Sequence, residues 1–346
     1  MMLRPAANSM RFGMFGGAQA AASRPGATMG QGFHDYIEFA VEADALGYHS
    51  SFVVEHHFSG WTQVSATLNL LTWLAARTRR LRVGTAVMVL PWHNPVLLAE
   101  QTATLDLLSG GRLDLGIGKG YRHNEFLGFA IPAEEADARF DECLDVLLRA
   151  WSATAPFSHA GRFWRFRAIV VEPPPAQLPH PPIWMAAGSA ESIRKVAQRG
   201  FNLLLDQFAG IDLIGERIAL FKAEVQAQGR SFDPMSVAVA RDVYVARDAA
   251  DKAAALERNA RMRRRTIEVA RAPGQQRGSH VLAYADAPGG NEAAALYGSP
   301  NEIAAQLEAL RAAGASYILA NMGGASRESL RRFAREIAPA FDTEFE

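Results

Sequence analysis

A (β/α)8 barrel, an α/β fold with short insertions in a single domain over residues 1–346, is the architecture this sequence predicts, and three observations lead to it. Short apolar runs alternate with longer amphipathic ones about eight times along the chain. Some of the short runs, residues 81–90 above all, are apolar on both faces, as strands of a parallel sheet are. No shift in composition marks a second domain.

Taken in order, residues 11–15 read as a strand stopped by Gly16-Gly17, and a Gly/Ala/Ser-rich loop leads to a helix at 33–46. That helix places Phe33, Ile37, Ala40, Val41 and Ala45 on one face and ends at Gly47. A strand at 51–54, a helix at 65–77 and the strand at 81–90, stopped by Pro91, follow. Pro95 opens a helix at 95–108, Gly110-Gly111 breaks it, and 113–117 is the fourth strand. After a helix at 134–151, residues 157–164 read as an inserted hairpin with its turn at His159-Ala160-Gly161. Strands at 183–186, 202–205 and 236–246 alternate with helices at 189–199 and 212–228, and a charged helix covers 248–271. Helix 301–313, strand 316–320 and helix 327–340 finish the chain. Residues 271–297 have no period and are expected to form a mobile lid over the barrel mouth.

A doubly wound open sheet is the alternative, but Gly116-Ile117-Gly118-Lys119-Gly120-Tyr121 lacks the dinucleotide glycine spacing. Equal numbers of basic and acidic residues, 36 each, give no general attraction to nucleic acid or to an anionic membrane. The run Arg263-Arg264-Arg265, with Arg261, therefore reads as a solvated helix face. Cys143, the one cysteine, sits in an amphipathic pattern and reads as core filler. Neither a signal-peptide core at 1–10 nor an apolar run of membrane-spanning length is present, so a cytoplasmic enzyme is expected.

In a barrel, chemistry gathers where strands end. The second strand ends in Glu55-His56-His57, the third in Trp92-His93-Asn94, the fourth in 119–125, and the fifth in Gly188-Ser189. Adjacent residues of a strand face opposite ways, so His56 and His57 cannot share a metal ion, and no other cluster completes a metal site. One of the two histidines faces the mouth, where its titration suits acid/base work, and the other is a candidate for a structural tie to Glu55. The segment 187–192, a strand end running into a helix with Ser189 and Ser192, suits an anion, although it also reads as an ordinary N-cap. Together with Lys119 it suggests a phosphorylated cofactor.

Four motifs give a family resemblance: 47–58 with its Glu-His-His-Phe ending, 81–91 followed by Asn94-Pro95, 107–113 running to Gly120, and Tyr297-Gly298-Ser299-Pro300. In this order and spacing the chain resembles the bacterial luciferase-like flavin monooxygenases from residue 11 to residue 338. The resemblance implies a barrel that binds reduced FMN, supplied by a separate flavin reductase, and uses O2 to oxygenate a small organic substrate. It implies that His56 is the active-site histidine, that Lys119, Gly188, Ser189 and Ser192 hold the flavin phosphate, and that Ala86 and Val87 form a non-proline cis peptide beneath the ring. Glu55 and Tyr121 complete the expected cofactor contacts, and a homodimer is expected. Gly118 stands where luciferase has a reactive cysteine, and Asn94 where it has a histidine, so light emission from an aldehyde is not implied. Two other functions remain open on the same barrel: hydride transfer with a deazaflavin, and flavin binding without catalysis.

Overall fold

The computed structural model describes residues 9–21, 26–270, 294–322 and 327–341. Eight parallel strands close on themselves: β1 (Arg11–Gly16), β2 (Ser50–Val53), β3 (Arg82–Thr85), β4 (Leu113–Gly118), β5 (Ile183–Ala186), β6 (Asn202–Leu205), β7 (Val237–Val245) and β8 (Tyr317–Asn321). Closure is made by β8 against β1, with Arg11 opposite Tyr317 and Phe15 opposite Asn321. The surrounding helices are α1 (Gln31–Leu46), α2 (Thr67–Arg77), α3 (Pro95–Leu108), α4 (Ala136–Ser152), α5 (Ala190–Arg199), α6 (Ile211–Ala227), α7 (Ala249–Ala270), α8 (Pro300–Ala312) and α9 (Arg327–Arg332). The eightfold alternation thus forms the barrel that the periodicity predicts.

The barrel interior is an aromatic stack. Phe52 of β2 meets Trp184 of β5 edge-on at 5.8 Å, and Trp184 meets Tyr317 of β8 at 5.7 Å. Bulk on these strands requires its absence on the neighbours: a Cβ at Gly84 would sit 2.7 Å from the Phe52 ring, and one at Gly13 would sit 2.8 Å from Leu319. Below the stack, Trp184 Nε1 donates to Asp114, which also takes the Arg82 guanidinium at 2.6 Å, so the floor of the barrel is closed by satisfied polar groups. The larger apolar layer lies between the outer strand faces and the helices, and there Cys143 is fully buried.

Three features differ from the sequence expectation. The run 81–90 is not one strand: β3 ends at Thr85, the Ala86–Val87 bond is cis, and Met88–Val89 resumes pairing with β4 before a 3-10 turn at Leu90–Trp92. The glycines of β4 make room for this detour, because a Cβ at Gly116 would lie 1.7 Å from the Thr85 carbonyl oxygen, and one at Gly118 would lie 2.5 Å from Val87. The Gly116-x-Gly118 pattern is therefore a packing device. Second, the hairpin strands are Phe157–Ala160 and Arg165–Ile169, with the turn two residues later than expected. Glu142 of α4 sets that turn by accepting the N–H groups of Arg162, Phe163 and Trp164 and pairing with His159. Third, of the expected lid at 271–297, residues 271–293 lie outside the described residues, and Leu296–Gly298 is a strand. At nine residues β7 outlasts the other barrel strands, and Leu296–Gly298 pairs with its surplus end. Three residues are too few for alternation to show in a sequence.

Candidate active site

At the carboxyl ends of the strands lies a cavity of about 740 Å³. Ala86, Val87, Gly118, Ala186 and Ala187 give it an apolar stretch of wall with little side-chain bulk, and His56, Asp242 and Asn321 give it polar edges. Helix α7 forms its roof: Arg258, Asn259, Met262, Arg263, Thr266 and Ile267 line it, a spacing that puts one helical face inward. The same helix packs against the short helix His123–Gly128, and its Arg265 guanidinium lies 4.6 Å over the Trp61 ring.

The end of β2 sends its three polar residues to different places. His56 faces the cavity, and its Nδ1 lies 3.0 Å from Glu125 Oε1. That carboxylate oxygen can only accept, so Nδ1 carries the hydrogen and Nε2 keeps its lone pair for the cavity. Glu125 is itself fixed by the His57 N–H at 3.0 Å and by the buried Arg122 guanidinium at 3.9 Å. Burial and the Arg122 charge lower the His56 pKa, while Glu125 pulls it back up. His56 is thereby kept neutral to lower pH than a free histidine. Tyr121, which also lines the cavity, stands edge-on to the His56 ring at 6.4 Å.

His57 turns away from the cavity into an aromatic cluster, 4.8 Å from Phe129, and its Nε2 donates to Glu55 Oε1 at 2.9 Å. His93 Nε2 donates to the same oxygen at 2.8 Å, and Glu55 Oε2 accepts the Val89 N–H at 2.7 Å. Burial pushes the Glu55 carboxyl up, but these three donors outweigh it and hold it down at about 2. Glu55 borders the cavity, yet its described hydrogen bonds all go to protein groups, and one of them pins the backbone just beyond Ala86–Val87. Asn94 is an N-cap, accepting from Val96 and Leu97 at the start of α3. Among the described residues no group of histidines, cysteines and carboxylates could hold a metal ion.

The residues expected to hold a phosphate stand at the rim. Lys119 lines the cavity, but its Nζ is 2.7 Å from Asp137 and the pair is mostly exposed. Gly188, Ser189 and Ser192 lie beyond the lining, and the two serines close a capping box on α5: the Ser189 hydroxyl accepts from the Ser192 N–H, and the Ser192 hydroxyl accepts from the Ser189 N–H. Ala186 and Ala187, just before them, do line the cavity.

The profile of the family described as luciferase-like monooxygenase matches residues 10–317. The chain belongs to that family. Its luciferase-like relatives include the oxygenase component of a flavin-dependent trigonelline monooxygenase of Acinetobacter baylyi, 32% identical over 56% of this chain and 53% of that protein. This alignment thus spans about half of the relative's length. An F420-dependent glucose-6-phosphate dehydrogenase of Kineococcus radiotolerans is 30% identical over 56% of this chain and 59% of that protein. Among solved structures, a monooxygenase of Streptomyces bottropensis superimposes with a TM-score of 0.81 at 26% identity, covering 96% of this chain and all 100% of that one. As a luciferase-like monooxygenase the chain is an oxidoreductase, and its relatives support a flavin cofactor. Among the described residues no helix is long and apolar enough to cross a membrane.

The roles of two parts of this luciferase-like site escape the sequence. Glu125 lies 69 residues from His56, in a helix of six residues too short to show a period, and only its place after β4 marks it. The inward face of α7 is the second. The charged pattern at 248–271 reads as solvated, and Arg261 and Arg264 are exposed, but Arg263 is half-buried and faces the cavity. Arginine at every turn hides which turn points inward.

Proposed function

We propose that this protein is a two-component monooxygenase that takes reduced FMN from a separate flavin reductase and, with O2, oxygenates a small organic substrate, with His56 as the acid/base group. The observation that carries the reading is the His56–Glu125 pair, aimed into a cavity lined by Ala86 and Val87, in a chain of this family. A flavin fits the residues present. The volume lies within the range of about 300 to 1,000 Å³ usual for ligand sites, and the small side chains beside Ala86 and Gly118 leave an apolar surface for a flat ring. Lys119 would meet the phosphate with Gly188, Ser189 and Ser192 at the N-terminus of α5. Ala86, Val87, Glu55 and Tyr121 would border the ring. When bound, reduced FMN supplies the electrons that activate oxygen.

The chain's own residues then have two tasks. Glu125 holds His56 in one tautomer, so that Nε2 can accept a proton from the substrate side of the cavity and return it later. Trp61, Tyr121 and Phe208, with the apolar part of α7, keep water from the chamber. A homodimer in the cytoplasm completes the reading. Helix α3 carries Leu97, Leu107 and Leu108 at 52%, 46% and 65% exposure, apolar side chains that a second copy would cover.

The F420-dependent relative favours one rival, hydride transfer with a deazaflavin. Anaerobic titration with reduced FMN and with reduced F420, followed by admission of oxygen, separates the two. Tight binding of FMN and oxygen consumption that rises with an accepted substrate are expected. Tight binding of F420 alone would overturn the proposal.

A further inference from the structure

We infer that Arg263 is an anion-recognition residue of the substrate chamber, and that the organic substrate carries a carboxylate or a comparably delocalised anion next to a flat apolar body. The inference rests on the reading of the cavity as a substrate chamber. Arg263 projects from the inner face of α7, and its guanidinium stacks 4.4 Å from the centre of the Phe208 ring, which also lines the cavity. Burial lowers its pKa, so the charge has lost part of its hydration. Nothing described repairs that loss with a hydrogen bond or ion pair. Two carboxylates lie in electrostatic range, and both are committed elsewhere. Asp206 takes Arg217 at 3.1 Å and the N–H groups of Phe208 and Ala209. Asp242 accepts from Asn321 at 2.7 Å and from Asn259 at 3.0 Å, and burial raises its pKa toward the neutral form.

A half-desolvated guanidinium with free donors is costly unless an anion completes it, and its planar fork matches a carboxylate bidentately. The flavin phosphate is the competing anion. It is less favoured because the residues placed for it, Lys119 and Ser189, follow β4 and β5, whereas α7 follows β7. Phe208 beneath the guanidinium supplies a surface for an apolar or aromatic body.

The test is calorimetric titration of the oxidised, FMN-loaded protein with benzoate, phenylacetate, nicotinate and benzenesulfonate, each beside its neutral amide. At least one anion should bind more tightly than its amide. R263Q should weaken that anion roughly 10- to 100-fold and leave its amide unchanged, while R263K should fall between. Circular dichroism and the thermal midpoint confirm that the variants fold. No anion preferred over its amide, or R263Q equal to the wild type, overturns the inference. So does R263Q losing affinity for FMN but not for riboflavin, which would assign Arg263 to the phosphate. None of these readouts needs turnover, so failure to oxygenate would count against the monooxygenase reading alone.

Discussion

The two walls of the cavity are finished differently. On the wall made by β2, the Ala86–Val89 segment and helix His123–Gly128, nearly every polar group is spent on another: Glu55 on His57, His93 and Val89, and Glu125 on His56 and the His57 backbone. On the wall made by β7 and α7, Asp242 accepts from two asparagines while burial raises its pKa, and Arg263 keeps its donors for the cavity. The first wall is preorganised before any ligand arrives, as acid/base chemistry requires. The second is completed by the ligand, as specificity requires.

The comparison breaks most visibly at His56. His56→Ala should lower oxygenation by a factor of about 10² to 10⁴, leave the thermal midpoint and FMN affinity near wild type, and divert oxygen to hydrogen peroxide. Product and peroxide assayed together settle it, and an active His56→Ala enzyme would remove the acid/base role.

Next in size is Glu55→Gln, a stability effect. A neutral amide would leave one buried donor of the first wall facing another, at a cost of about 2–3 kcal/mol. The sign with pH follows from the lowered pKa. Because the folded carboxyl titrates near 2 against an ordinary 4.5, its contribution is complete above about 4.5 and is lost as pH falls toward 2. Urea unfolding between pH 5 and 3 should show this loss in the wild type and not in the variant. His57→Ala should share the stability cost and keep turnover, and a turnover loss there would blur the division between the two histidines.

Glu125→Gln sharpens the first wall further. Turnover should fall by roughly tenfold, within the range for losing a charged hydrogen bond. Since Glu125 raises the His56 pKa, its removal should move the acid limb of kcat/KM to lower pH. An unmoved limb would mean that Glu125 does not govern that ionisation.

The smallest effect belongs to the rim. Lys119→Ala should weaken FMN only a few-fold, because an exposed ion pair contributes about 1 kcal/mol or less, and should leave riboflavin unchanged. Equal losses for both ligands would separate Lys119 from the phosphate.

The same contrast explains what the sequence disclosed. The barrel was legible because short apolar runs alternate with amphipathic ones along the chain, and the Glu55-His56-His57 cluster because it ends an apolar run within four residues, with the resemblance then selecting His56. The resemblance also carried the cis bond at Ala86–Val87, which the structure contains. Glu125 stood in the strand-end segment 119–125, but its pairing with His56 was illegible because it arises only when β2 and β4 are brought together across β3. The inward Arg263 was hidden among arginines that face solvent. The pairing of Leu296–Gly298 depends on the excess length of a strand fifty residues away, which no local pattern reports.

The hairpin Phe157–Ala160 and Arg165–Ile169 has a consequence for how such a barrel is elaborated. Its polar anchors belong to α4 and the turn that leads into it: Glu142 collects the turn, Arg149 bonds the Ser158 carbonyl, Arg139 lies over Phe163, and Arg162 pairs with Glu135. An ornament moored to one helix and its entry turn can be lengthened, exchanged or grafted without renegotiating the ring of strands. For a protein engineer the address of a transplantable module is therefore α4, and the hairpin travels with it.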